Sequence, residues 1–189
     1  VSINLEPLIV RAILVCDYIV FISHWLKDYY LSKYAIIKSK FNDETNNSTV
    51  INNACCPKIY YPLENKVLNK EKIKIVTHHW SDNYYKGFYI YNKLAVYLKN
   101  NSHRYEFTYI GRYNGIPPSN INYIPPISGN ELANELRKHD IYLTASLYEP
   151  GGIHQLEGMS CGLPILYREN SGGVKETIFG AGEEYNDLD

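Results

Sequence analysis

Cysteine is scarce in this chain and has no organising pattern. Cys16, Cys55, Cys56 and Cys161 form no CxxC pair, and the adjacent Cys55 and Cys56 are ill placed to bridge each other. That excludes a disulfide-stapled fold or a cysteine-based zinc module and points to a reducing, cytoplasmic setting. An excess of positive charge is also missing. The formal net charge is −1 and no basic stripe stands out, so nucleic acid is not an expected partner. Long apolar runs are absent too. The most apolar stretch, Leu8 to Ile22, is broken by Arg11 and Asp17 and is too short to span a bilayer. No secretory leader is visible. The chain opens on Val1 rather than Met and stops after Asp189, so a fragment of a longer protein is expected.

What is present suffices for a packed domain. The chain has 189 residues, 45% of them hydrophobic. Tyrosine is abundant, with 19 copies. Codon usage is the plain reading of that number, and aromatic sugar platforms are the alternative.

The first forty residues predict a helix over 5–15, a buried strand over 17–22 and a helix from a Ser23 cap to about Leu31. Residues 42–53 are rich in Asn, Asp, Ser and Thr and read as a linker. Residues 1–50 then form one region and 51–189 another. In the second region a short strand is expected at 58–62 and a longer one at 72–77. A helix is expected over 86–99, with Phe88, Tyr91, Leu94, Ala95 and Leu98 on its apolar face. Strands follow at 105–110 and 121–124. Ser128 with Glu131 suggests a capping box opening a helix over 129–138. Strand 141–145, a glycine turn, a helix, strand 164–167 and a short helix 174–179 complete the series. Strands alternating with helices mean an α/β fold, a Rossmann-like parallel sheet with helices on both faces.

The densest chemistry lies between Glu149 and Pro164. Glu149 and Glu157 stand eight residues apart, with Gly151-Gly152 after the first and a helix carrying the second. A strand, glycine turn and helix build a ligand crevice at the strand ends of an open sheet. The amides of Gly152, Ile153 and His154 are expected to open that helix and face an anion. Two carboxylates beside such amides suit a ligand with both phosphates and hydroxyls, as in a nucleotide-sugar.

These residues resemble the glycosyl transferases group 1 family, retaining enzymes of the two-domain GT-B fold. The likeness is carried by Lys86-Gly87, by Glu149-Pro150-Gly151-Gly152-Ile153 with Glu157-Gly158-Met159-Ser160-Cys161-Gly162-Leu163-Pro164, and by Gly172-Gly173-Val174-Lys175-Glu176-Thr177-Ile178. The segment 16–31 looks like the last strand and helix of that family's acceptor domain. The resemblance implies that 51–189 is a C-terminal nucleotide-sugar domain, truncated at its end, and that 1–50 is the remnant of an N-terminal acceptor domain otherwise missing.

It further implies a role for each residue. Glu157 bonds the ribose hydroxyls, and Glu149 contacts the donor sugar near its anomeric centre. Gly151 and Gly152 allow close backbone approach, although many members carry an aromatic residue at the first of them. Ile153 and His154 present amides to the diphosphate or sugar. Lys86 neutralises the leaving group. Many members place an arginine before that lysine; here the loop reads Thr77-His78-His79-Trp80, and His79 or His78 supplies a donor instead. Arg112 is a further candidate cation, and Tyr123-Ile124-Pro125 walls the base by position. A metal reading of His78-His79 lacks a third ligand at a suitable spacing, and the resemblance implies transfer without a bound metal or cofactor.

The expected reaction moves a hexose from a nucleoside-diphosphate sugar to a glycan, lipid or protein hydroxyl, with retention. Polysaccharide biosynthesis in the cytoplasm, peripherally at the inner membrane surface, is the expected setting. The alternatives are a nucleotide-sugar-binding fragment inactive without its acceptor domain, or another GT-B enzyme such as an epimerase.

Overall fold

A computed structural model describes residues 6–41, 46–66 and 71–186. The chain divides into two compact units, Val1–Asn53 and Ala54–Asp189.

In the first unit the order is α1 (Glu6–Val15), β1 (Ile19–Phe21), α2 (His24–Lys33), α3 (Ala35–Lys40) and β2 (Ser48–Val50). Ser23 caps α2 as its extended backbone and hydroxyl predict, accepting the Leu26 N–H at 2.9 Å. β1 and β2 pair in parallel, Ile19 opposite Ser48 and Phe21 opposite Val50. The linker expected over 42–53 is therefore corrected: part of it is ladder, because Ser48-Thr49-Val50 is a β-favouring triplet with a partner strand. Ile13, Phe21, Tyr30, Ile37 and Phe41 form this unit's core. The first residue of the expected 5–15 helix lies outside the described residues.

The second unit holds β3 (Ile73–His79), α4 (Phe88–Asn101), β4 (Tyr105–Gly111), β5 (Asn122–Ile124), α5 (Gly129–Leu136), β6 (Ile141–Thr144), α6 (His154–Ser160), β7 (Ile165–Arg168), α7 (Val174–Thr177) and β8 (Gly182–Tyr185). All six strands are parallel, in the order β5-β4-β3-β6-β7-β8. Counted within the unit this is 3-2-1-4-5-6, the doubly wound order whose direction reverses between its first and fourth strands. The switch point therefore falls between β3 and β6.

Alternation along β3 sends Ile75 to one face of the sheet, against α4, and Val76 to the other, against α5, α6 and α7. On α4 the residues Phe88, Tyr91, Leu94, Ala95 and Leu98, spaced three and four apart, are buried as their periodicity predicts. Burying each large one is worth about 1.5–3 kcal/mol.

Four local expectations are corrected. Residues 58–62 are not a strand: Ile59 and Tyr60 donate back to the Cys56 carbonyl. The carbonyls of Ile59 and Tyr61 accept from the Arg137 guanidinium instead of a ladder. Ser128 sits at the N-cap of α5 without a side-chain cap bond, and Gly129 after it takes φ +58°. Helix α4 starts at Phe88, because Tyr84–Lys86 form a separate 3₁₀ turn closed by Gly87 at φ +77°. Finally, the last helix stops at Thr177, and β8 follows it.

Candidate functional site

Gly87 and Gly158 bring the site together. Gly87 is buried at φ +77°, and a Cβ there would fall on the Ala145 carbonyl, 2.6 Å from the Ala145 Cβ. The 3₁₀ turn is thus pressed onto the end of β6, and the Leu147 N–H donates to the Tyr85 carbonyl at 2.8 Å. Lys86, last residue of that turn, reaches Glu149, and its ammonium pairs with the Glu149 Oε2 carboxylate. Glu149 is fixed from the other side by its own N–H to the Ser171 carbonyl at 3.0 Å and by the Gly173 N–H to its carbonyl at 2.8 Å.

Gly158 does the same for the second carboxylate. A Cβ at 158 would lie 2.7 Å from Cγ of Tyr142, so only glycine lets α6 settle on β6. At its far end α6 closes in a Schellman motif. The Leu163 N–H donates to Gly158 at 3.2 Å, and the N–H of left-handed Gly162 to Met159 at 2.9 Å. The Cys161-Gly162-Leu163-Pro164 run is this cap, followed by a proline that cannot continue the helix. Glu157, held one turn into α6, meets His78 Nε2 at 2.7 Å and lies beside the Tyr60 phenol. Burial and that carboxylate push the Tyr60 hydroxyl above its ordinary range. Behind His78, its Nδ1 lies 3.1 Å from the Tyr142 hydroxyl.

The adjacent histidines at the end of β3 fall on opposite faces. His78 faces Glu157. His79 is 2% exposed and turns toward α4, with Nε2 at 2.6 Å from the Tyr91 hydroxyl and Nδ1 buried without a partner. His154, the first residue of α6, stacks edge-on against His79 at 4.8 Å between ring centres. Its Nε2 meets Thr144 Oγ1 at 3.0 Å. Burial first, and then the Lys86 ammonium and the neighbouring imidazoles, hold both rings well below the usual histidine range. The two rings are therefore neutral near pH 7, and Lys86 supplies the positive charge beside them. His154 Nδ1, the ring nitrogen away from Thr144, is the atom turned toward Gly152.

Of the residues expected in the site, Lys86, Glu149, Gly151, Gly152, Ile153, His154 and Glu157 all lie on the two segments that follow β3 and β6 at the switch point. Helix α6 begins at His154, with Ile153 as its N-cap residue. His79 is the inward member of its pair. Arg112 stacks over Trp80 at 5.2 Å, and the Tyr123 hydroxyl donates to the Gly111 carbonyl at 3.0 Å. The contributions of Tyr60 and Tyr142 are not visible in any motif, since a distant turn and a core strand supply them. Among the described residues no group of three His, Cys, Asp or Glu stands where it could hold a metal ion. No helix among them is long and apolar enough to cross a membrane. A hollow of about 190 Å³ opens at the other end of the sheet, where β6, β7 and β8 begin, away from these side chains.

Comparison with known proteins bears on the same segment. Residues 116–182 match the glycosyl transferases group 1 family. The matched stretch holds Glu149, the glycine pair, His154 and Glu157; Lys86 and His78 precede it. The fold is that of GT-B glycosyltransferases. Sucrose-phosphate synthase from Thermosynechococcus elongatus superposes with a TM-score of 0.71 at 17% identity, over 100% of this chain and 52% of that one. WaaG, a glycosyltransferase involved in lipopolysaccharide biosynthesis, gives 0.63 at 14%, over 89% of this chain and 49% of the other. The catalytic domain of starch synthase IV from Arabidopsis thaliana, bound to ADP and acarbose, gives 0.64 at 13%, over 94% and 46%. The chain thus spans about half the length of these family-fold structures. No curated protein sequence matches it.

Proposed function

We propose that the chain is the donor-binding part of a glycosyltransferase that moves a hexose from a nucleoside-diphosphate sugar to an acceptor hydroxyl, with retention at the anomeric carbon. One observation carries this reading. Two carboxylates leave the same strand-to-helix unit at the switch point, each held by a basic side chain, with a glycine pair between them.

Each part has a task. A carboxylate offers about four acceptor sites. His78 occupies part of the Glu157 set, and the rest accept the two ribose hydroxyls. Lys86 turns its ammonium to the diphosphate and stabilises the charge that grows as the glycosidic bond breaks. Its partner Glu149 is thereby freed to bond the sugar hydroxyls beside the reacting carbon. The loop at Gly151 and Gly152 lets the backbone amides, with His154 Nδ1, approach the ligand. The acceptor's proton passes to the departing phosphate oxygen on the same face, so no protein nucleophile is needed.

A titration of UDP-, GDP- and ADP-glucose into the chain, followed by calorimetry, tests the site. One of the three should bind, and Glu157→Ala and Lys86→Ala should each weaken it about 10- to 100-fold, the worth of a charge-assisted hydrogen bond. Wild-type affinity in both variants refutes the assignment. Because the chain spans half of its structural relatives, a second reading is favoured for turnover: this part binds donor and transfers only with an acceptor half supplied.

A further inference from the structure

Tyr142 takes a hydroxyl into the interior and turns it to His78. The residue is fully buried on β6, and burial holds its phenol far above the ordinary range, so the oxygen keeps its hydrogen. That oxygen accepts the His78 N–H at 3.2 Å and lies 3.1 Å from Nδ1 and 3.3 Å from the His78 carbonyl. The two rings meet edge-on, 5.5 Å between centres. A Cβ at Gly158, the residue after Glu157, would fall on the same tyrosine ring. One core side chain therefore touches β3 at His78 and α6 beside Glu157.

The protons follow from one end of this line. An ionised carboxylate only accepts, so the 2.7 Å bond between Glu157 Oε2 and His78 Nε2 needs the proton on Nε2. A neutral ring is then bare at Nδ1, the nearer of the two His78 acceptors within reach of the Tyr142 hydrogen. The hydroxyl also tells the two orientations of the ring apart. Turned over about its Cβ–Cγ bond, the imidazole would set one carbon against the hydroxyl and another against the carboxylate. We propose that Tyr142 is a positioning residue for Glu157: acting through His78, it fixes Nε2–H toward the carboxylate and so holds the acceptor that the ribose diol of the nucleotide meets. The inference rests on the donor-site reading for the ligand and adds to it a residue that stands outside every motif. The His78 and Glu157 side chains are only 10% and 17% exposed, so a carboxylate that loses the imidazole has little water to hold it in place.

Calorimetry on the 189-residue chain with UDP, GDP and ADP and their 2′-deoxy forms tests this. For whichever base binds, the ribose form should bind wild type about tenfold or more tightly than the deoxy form. Y142F removes one oxygen and keeps the ring against Gly158. It should bring that ratio to within threefold by weakening the ribose form, while affinity for the deoxy form stays within twofold. In an H78A background Y142F should leave the ratio where H78A puts it, since the path runs through the imidazole. A tyrosine that only packs would weaken both nucleotides together, in either background. Nitrogen NMR of the His78 ring at about pH 8 is a second measurement that needs no variant, and the wild type should carry its proton on Nε2. The proposal is overturned by a wild-type ratio near one, by a ratio that Y142F leaves unchanged, by equal weakening of both nucleotides, or by a wild-type ring bare at Nε2. If no nucleotide binds, the donor-site reading falls. An Nε2 proton that Y142F loses or shares with Nδ1 then keeps the clamp, and an identical ring in both proteins removes it.

Discussion

Replacing Gly87 by alanine should do more damage than any other single methyl in the site. Two costs add. The backbone sits at φ +77°, and an L residue in the left-handed region loses roughly 1–2 kcal/mol. The new Cβ would also fall on the Ala145 carbonyl and lie 2.6 Å from the Ala145 Cβ, whereas ordinary contact starts at 3.4 Å, so two backbone segments must part by at least about 0.8 Å. Overpacking of this kind costs about 1–3 kcal/mol. The expected total is roughly 2–5 kcal/mol in the urea unfolding of the second unit. Because Lys86 immediately precedes it, the turn carries the Lys86 ammonium away from Glu149, and misplacement near 1 Å can cost about a hundredfold in rate. Gly115 provides the control. It has φ +88° with nothing within 4 Å of its missing Cβ, so Gly115→Ala should show the first cost alone. If the two variants lose the same stability, the close approach of the turn to β6 is not what holds Lys86, and this account of the site is refuted.

The remaining predictions concern the second carboxylate and the buried histidines. Glu157→Gln keeps the shape but not the charge, and should weaken nucleotide binding about tenfold or more by calorimetry; unchanged affinity would remove Glu157 from the site. Gly158→Ala places a Cβ 2.7 Å from Tyr142 Cγ and should lift α6 off β6, lowering stability by about 1–3 kcal/mol together with nucleotide affinity. Stability should also fall in mild acid. Burial holds His79, His139 and His154 below their ordinary value of 6.5, so below that pH the unfolded chain takes up protons the native one refuses. Stability is therefore full above about pH 7 and lost as pH drops through 6.5, by about 1 kcal/mol for each of His79 and His154 between pH 6.5 and 5.5, with His139 adding in the same direction. Urea titrations that agree at pH 7.5 and 5.5 would contradict it.

The parts of this fold legible in the sequence were those governed by local rules. Alternating strands and helices announced the parallel sheet, and Ser23 announced its helix. Expectations failed where a distant partner decides. Lys58-Ile59-Tyr60-Tyr61 has strand composition, yet Arg137 takes the carbonyls of Ile59 and Tyr61, and no strand lies alongside. Ser48-Thr49-Val50 hides in an Asn-rich stretch and becomes a strand because β1 is there to pair with it. The site behaved in the same way. The carboxylates and glycines stand in one segment and could be found by spacing. The partner of Glu157 could not, since His78 and His79 are identical neighbours. Only the strand's register decides which of them faces α6.

That register also separates two kinds of histidine. His78 is spent on a carboxylate, while His79 and His154 are neutral rings packed against each other behind it. Among the described residues, His79 Nδ1, Ser146 Oγ and Gln155 Oε1 are buried without a hydrogen-bond partner. Each such atom costs about 1–3 kcal/mol if it stays unsatisfied. All three stand on segments that meet at the switch point: the end of β3, the residues just past β6 and the first turn of α6. Gln155 shows the contrast within one side chain. Its amide nitrogen bonds Thr177 at 3.2 Å, while its oxygen is left beside Gly152, where a Cβ would stand only 2.6 Å away. An unmet hydrogen bond and withheld side-chain volume therefore coincide at Gly152. Both are what a ligand rich in oxygen atoms would use.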